Sequence, residues 1–149
     1  MKVRDVMELN SITISRDATY EDVAKTLYTH GISGAPVIDE EGNLLGMVSE
    51  KDLFRILYPF YRSYYENPEV YADMESREGK LDEIRGKSVE VYMSREIVTI
   101  EPDAPIMRAG AIMLAKQIHR LPVVENGKLI GIITRRRIYR TVLRHKLGL

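Results

Sequence analysis

The chain of 149 residues contains no cysteine, so it can build no disulfide framework, no thiolate metal site and no Cys nucleophile. That absence agrees with a reducing compartment. No apolar run approaches the roughly 18–20 residues of a bilayer-spanning helix. The start, Met1-Lys2-Val3-Arg4-Asp5-Val6-Met7, interleaves charges with apolar residues where a secretory signal would be unbroken. The expected location is therefore cytoplasmic. Charge of one sign is lacking too, because 22 Lys and Arg balance 22 Asp and Glu, which argues against a general polyanion binder. The three histidines, His30, His119 and His145, share no metal-ligand spacing with one another or with an acidic residue. There is no G-x-S-x-G, no glycine-rich phosphate loop and no nucleophile–base pair. The expectation is a protein that is not an enzyme, with no catalytic cofactor and no metal.

What is present is an ordinary globular composition, 44% hydrophobic and 30% charged, in a chain long enough for a real core. Its main feature is an internal duplication. A shift of 86 places Met7 on Met93, Thr13-Ile14 on Thr99-Ile100, Asp17-Ala18 on Asp103-Ala104, Ile32 on Ile118 and Pro36-Val37 on Pro122-Val123. One residue then drops out of the second copy in a turn, after which Gly42, Leu44, Gly46 and Ser49 meet Gly127, Leu129, Gly131 and Thr134. Each copy reads as a β-prone stretch (11–14, 97–100), a helix, two short strands joined by a turn, and a second helix from about Glu50 or Arg135. Thr19 and Asp22 make a capping box ahead of an apolar face of Val23, Ala24, Leu27 and Tyr28. In the second copy Pro105 opens a helix whose stripe is Ile106, Ala109, Met113 and Leu114. Asn126-Gly127 is a hairpin turn signal. The predicted fold is α/β, with two β-α-β-β-α repeats packed sheet to sheet about a pseudo-two-fold axis and helices outside. The repeats span 1–58 and 89–149.

Residues 59–88 form a tyrosine-rich, acidic linker. Tyr58, Tyr61, Tyr64, Tyr65 and Tyr71 are five of the nine tyrosines, and Glu66 to Glu90 holds eight acidic residues against four basic ones. It reads as a helical extension followed by a solvated loop, or as a partner surface.

The junction between the last strand and last helix of each repeat carries the candidate chemistry. In the first copy it is Gly46-Met47-Val48-Ser49-Glu50-Lys51-Asp52-Leu53. Ser49 and Asp52 fit a capping box; the functional alternative is a hydroxyl and a carboxylate converging beside a strand end, where an Asp can accept hydrogen bonds from both hydroxyls of a ribose. The second copy reads Gly131-Ile132-Ile133-Thr134-Arg135-Arg136-Arg137-Ile138, with Arg137 in place of the aspartate. Three arginines in a first helical turn oppose the macrodipole, at about 0.3–1 kcal/mol each when unpaired. They are either solvated or partners of an anion. Before each conserved-in-repeat proline the copies differ again: Ser33-Gly34-Ala35-Pro36 against His119-Arg120-Leu121-Pro122.

These pieces, twice and in the same order, resemble a tandem pair of cystathionine-β-synthase (CBS) domains, a Bateman module, over about 110 residues with the linker outside it. The resemblance implies a stand-alone regulatory module that binds AMP, ADP or ATP between its repeats, forms a homodimer and signals to a separate protein. It implies one site with Ser49 and Asp52 at the ribose, Met47, Val98 and Thr99 near the base, and His119, Arg120 and Arg136 at the phosphates beside Pro122. A second, degenerate site would hold Thr13, Ser33, Gly34, Thr134 and Arg137, and would be empty or take only an anion or a different ligand. Two other functions compete with this one. A basic C-terminal helix (Arg135, Arg136, Arg137, Arg140, Arg144, Lys146) could bind nucleic acid, and the tyrosine-rich segment could serve a structural or oligomerisation module.

Overall fold

Capping residues set the helix boundaries, and the duplication repeats them. The computed structural model describes residues 1–58, 64–71 and 75–149; Tyr61 and the side chain of Tyr71 lie outside what is described. In chain order the elements are α1 (Val3–Val6), β1 (Ile14–Ser15), α2 (Tyr20–His30), β2 (Gly34–Ile38), β3 (Leu44–Ser49), α3 (Glu50–Arg55), α4 (Ser76–Ile84), α5 (Ile106–Lys116), β4 (Arg120–Glu125), β5 (Lys128–Thr134) and α6 (Arg135–Leu147). Short 3₁₀ turns occupy Pro68–Tyr71 and Val89–Val91. The capping box forms at the start of α2, where Thr19 accepts from the Asp22 amide. Pro105 is the N-cap residue of α5.

The chain divides into two units that do not follow the repeats of the sequence. Unit 1 comprises Met1–Ile12, Ile38–Leu44 and Glu96–Leu149; unit 2 comprises Thr13–Val37 and Leu45–Arg95.

In unit 1, β4 and β5 pair antiparallel from Arg120↔Thr134 to Glu125↔Lys128, with an irregularity between Val123 and Val124. Asn126 and Gly127 at their turn have φ of 54° and 79°, the two positive values a tight hairpin needs. Ile100 bridges Val123 in parallel on one side, and Glu8 bridges Ile132 antiparallel on the other. The buried cluster of this unit draws on α1 (Val3, Val6), α5 (Ile106, Ala109, Met113), the strands (Leu121, Val123, Ile133) and Ile138 of α6.

Unit 2 repeats the plan with a sheet ordered β1-β2-β3 and an antiparallel bridge between Met47 and Ser94. Its cluster gathers Tyr20, Val23 and Leu27 of α2, Val37, Val48, Leu53, Ile84, Val89 and Met93. Tyr20 packs edge-on against Tyr92 at 5.6 Å and donates its hydroxyl to the Leu53 carbonyl at 2.9 Å.

Three expectations need correction. The β-prone stretches shrink to Ile14–Ser15 and to a single bridge at Ile100. A turn follows each at once, closed by Ala18 N to Ser15 O and Ala104 N to Glu101 O, so neither extends further along the chain. The apolar stripes of α2 and α5 end one residue early. Tyr28 is 90% exposed and Leu114 71% exposed, because the true stripes are Tyr20-Val23-Leu27 and Ile106-Ala109-Met113 and the next residue turns 100° away. The linker, read as a helical extension followed by a solvated loop, has a helix in its second half, α4. Ile84 anchors that helix at 1% exposure. Arg77 donates to the Leu57 carbonyl, and Arg85 pairs with Glu21 at 2.6 Å. Arg85 and Lys25 together hold the Glu21 carboxyl down to about 2.

Candidate functional site

In both units the helix that follows the hairpin is clamped to the loop that precedes it. The Glu50 amide donates to the Ser33 carbonyl at 2.9 Å, and the Arg135 amide donates to the His119 carbonyl at the same distance. These are equivalent positions of the duplication. One backbone bond thus brings the residues before the proline beside the first turn of the helix. In unit 1 those residues are His119-Arg120 and Arg135-Arg136-Arg137, so the clamp gathers cations that lie 15 residues apart in sequence.

The result is an open cavity of about 720 Å³ lined by His119, Arg120, Thr134, Arg135, Arg136 and Tyr139. Its size falls in the range of small-molecule sites, roughly 300–1,000 Å³. Three guanidinium groups line it, and neither Arg135 nor Arg136 forms an ion pair among the described residues. Such a wall suits a phosphate or another oxyanion, which Arg can hold in a bidentate fork. Tyr139, 63% exposed, adds an aromatic surface of the kind on which a base can stack. No motif of the repeat marks Tyr139, although its spacing from Arg135 and Arg136 (i+4 and i+3) puts it on their helical face.

The other expected residues fall as follows. Val98 packs against the core of unit 1, Pro122 is buried in β4, and Thr99 is exposed beside Ile100. None of the three is among the lining residues of the cavity. In unit 2, Ser49 and Asp52 form the capping box at the start of α3. The Ser49 amide and hydroxyl both donate to Asp52 Oδ2, at 2.9 and 3.1 Å, and the Asp52 amide returns a bond to Ser49 Oγ at 3.3 Å. Met47 is half-buried in β3, its amide bonded to the Ser94 carbonyl at 2.9 Å.

The residues expected to form a degenerate second site are divided between the units. Thr13 lines a hollow in unit 2 with Asp17, Asp22 and Thr26. Ser33 is exposed and Gly34 buried, where a Cβ on Gly34 would come within 2.9 Å of the Val48 carbonyl. Thr134 is the N-cap of α6, accepting from the Arg137 amide at 3.2 Å. Arg137 is not an unpaired arginine awaiting an anion. Its Nε donates to the Val6 carbonyl, and its Nη1 lies 3.2 Å from the Glu8 carboxylate. The partner is the N-terminal segment, which the spacing within the repeat does not reveal.

Comparison with known proteins agrees with this architecture. The CBS domain family matches residues 3–59 and again 88–144. A CBS domain-containing protein of Dictyostelium discoideum is 31% identical, over 89% of this chain and 85% of its own length. The A-adding tRNA nucleotidyltransferase of Aquifex aeolicus is 29% identical over 95% of this chain, which spans only 14% of that enzyme. An uncharacterized protein of Methanocaldococcus jannaschii is 28% identical, and this chain spans 39% of it. Among solved structures, CBSX2 in complex with AMP superposes with a TM-score of 0.75 at 28% identity, covering 97% of this chain and 98% of that one. The CBS domain pair of protein MJ0100, in complex with 5′-methylthioadenosine and S-adenosylmethionine, has a TM-score of 0.69 at 24% identity, covering 98% of each chain.

Proposed function

Because this chain belongs to the CBS-domain family and carries the domain twice, we propose that it is a regulatory module that binds an adenine nucleotide. It passes the binding event to a separate protein. CBS-domain pairs are ligand-binding regulatory modules, and the relatives of this fold include one in complex with AMP and one in complex with adenosine derivatives. The observation that carries the nucleotide reading is the cavity of unit 1, where Arg120, Arg135, Arg136 and His119 supply the donors and Tyr139 the aromatic surface. Such a wall favours an anionic ligand. S-adenosylmethionine, with a sulfonium and an ammonium against one carboxylate, would place positive charge against arginines.

A ligand at a hundredfold excess over its Kd stabilises the form that binds it by about 2.7 kcal/mol. It signals only to the extent that it prefers one conformation over another. Calorimetric titration with AMP, ADP and ATP tests the proposal. Saturable binding that weakens at least tenfold in Arg136→Ala and in Arg135→Ala is the expected result. Silence with all three nucleotides overturns it. The homodimer that the family resemblance carries belongs to the same proposal, and sedimentation with and without nucleotide reads it.

A further inference from the structure

We infer that Arg140 and Arg144 extend the nucleotide site along α6, so that this chain discriminates by phosphate number and takes a nucleoside polyphosphate of three or more phosphates in preference to a monophosphate. The inference rests on the nucleotide reading above. Next to the cavity of unit 1 lies a groove of about 390 Å³ that includes Arg136, Arg137, Arg140 and Arg144. The two hollows share Thr134 and Arg136 as lining residues, so a chain of phosphates held at Arg136 leads directly from one into the other. Positions 136, 140 and 144 lie on one helical face, each step about 6 Å along the axis and about 12 Å in all. A single phosphate at the His119-Arg120 end has no reach to Arg144. Each further phosphate lengthens the ligand along that face, toward Arg140 first and Arg144 beyond it.

Of the four arginines in the groove only Arg137 forms an ion pair among the described residues. Residues 135–149 contain no acidic residue, and among the described residues Arg136, Arg140 and Arg144 form no ion pair. The one carboxylate in the groove, Glu8, is engaged by Arg137 at 3.2 Å. Like charges four residues apart on a helix repel, so the ridge is held at a cost that a bound polyanion offsets. The favourable run is also short. Outside α6 the chain carries sixteen basic residues against 22 acidic ones, which suits a compact polyphosphate better than a long nucleic acid.

Titration of the full chain with AMP and with ATP, without magnesium so that the phosphates keep their charge, tests the inference. ATP is expected to bind at least tenfold tighter than AMP and to lose affinity more steeply with salt. Arg140→Gln and Arg144→Gln are each expected to weaken ATP about tenfold and to leave AMP unchanged. Their ligand-free thermal midpoints should match or exceed the parent's, since each removes a repulsion, which separates lost binding from lost folding. Equal affinities for AMP and ATP, or ATP affinity unmoved by both substitutions, overturns the inference while AMP binding leaves the nucleotide reading standing. Absence of binding by either nucleotide fails that reading, and this inference with it. Tighter binding of a single-stranded RNA oligomer than of ATP, abolished by the same substitutions, overturns it in favour of nucleic acid.

Discussion

Gly46 and Gly131 occupy equivalent places in the two units, and both are glycine because another chain segment lies where a side chain would be. A Cβ on Gly46 would sit 2.7 Å from the Ser94 carbonyl and 2.8 Å from Met93 Sδ; one on Gly131 would sit 2.7 Å from the Glu8 carbonyl and 2.9 Å from Met7 Sδ. The methionine could move, but the carbonyl belongs to the bridge between Glu8 and Ile132 and cannot move without breaking it. Gly131→Ala is therefore expected to destabilise the protein by about 2 kcal/mol, the usual scale of overpacking, read as a lower urea midpoint. Met7→Ala in the same chain should not restore it, because the carbonyl remains; full rescue would place the clash on the sulfur instead. The alignment of Met7 with Met93 and Gly46 with Gly131 is visible in the sequence, but its meaning is not. In unit 1 the two contacting residues are 124 positions apart, beyond the reach of any local pattern. The same distance hid the partner of Arg137, whose guanidinium serves Val6 and Glu8 at the far end of the chain.

At the scale of elements, local chemistry was legible wherever the deciding contact was local. Thr19 with Asp22 and Ser49 with Asp52 are three residues apart, and both capping boxes form. Asn126-Gly127 turns as its residue types require. α4 was illegible because it has little amphipathic pattern of its own; one isoleucine and two arginine contacts to distant residues hold it. The candidate cavity was half legible. Its cations stand out in the sequence, whereas the clamp from the Arg135 amide to the His119 carbonyl that gathers them is a product of the fold. The ends of α2 and α5 offer a test of local reasoning. Each helix stops in a left-handed residue, Gly31 at φ 61° in one copy and Gln117 at φ 55° in the other. Glycine takes that conformation freely, and a residue with a Cβ does so at a cost of about 1 kcal/mol. Gln117→Gly is expected to stabilise the protein by roughly that amount, seen as a rise in the denaturation midpoint with unchanged slope. A fall would mean that the backbone freedom glycine adds to the unfolded chain is the larger effect.

For the molecule as a whole, the division into units crosses the division into repeats. The first twelve residues precede the first repeat's hairpin in sequence, yet they belong to the unit built from the second. Val3 is fully buried and Val6 4% exposed in the cluster formed by α5, β4, β5 and α6. Backbone bonds from Val3 N to Ala104 O and Glu8 N to Ile132 O hold the segment there. The segment also supplies Glu8 to the arginine groove, so the same residues complete the core and the charge pattern of unit 1. In unit 2 the corresponding service comes from Val89, Met93 and Ser94, which follow the linker. Truncating Val3 or Val6 to alanine removes buried methyl groups and leaves a void, an expected loss of about 2 kcal/mol each. Because opening proceeds through cooperative sub-regions, the loss should appear first as faster amide hydrogen exchange in α5 and α6, with α2 and β2 less affected. Equal acceleration in α2 and α6 would instead show that the two units open as one, and that the N-terminal segment stabilises both alike.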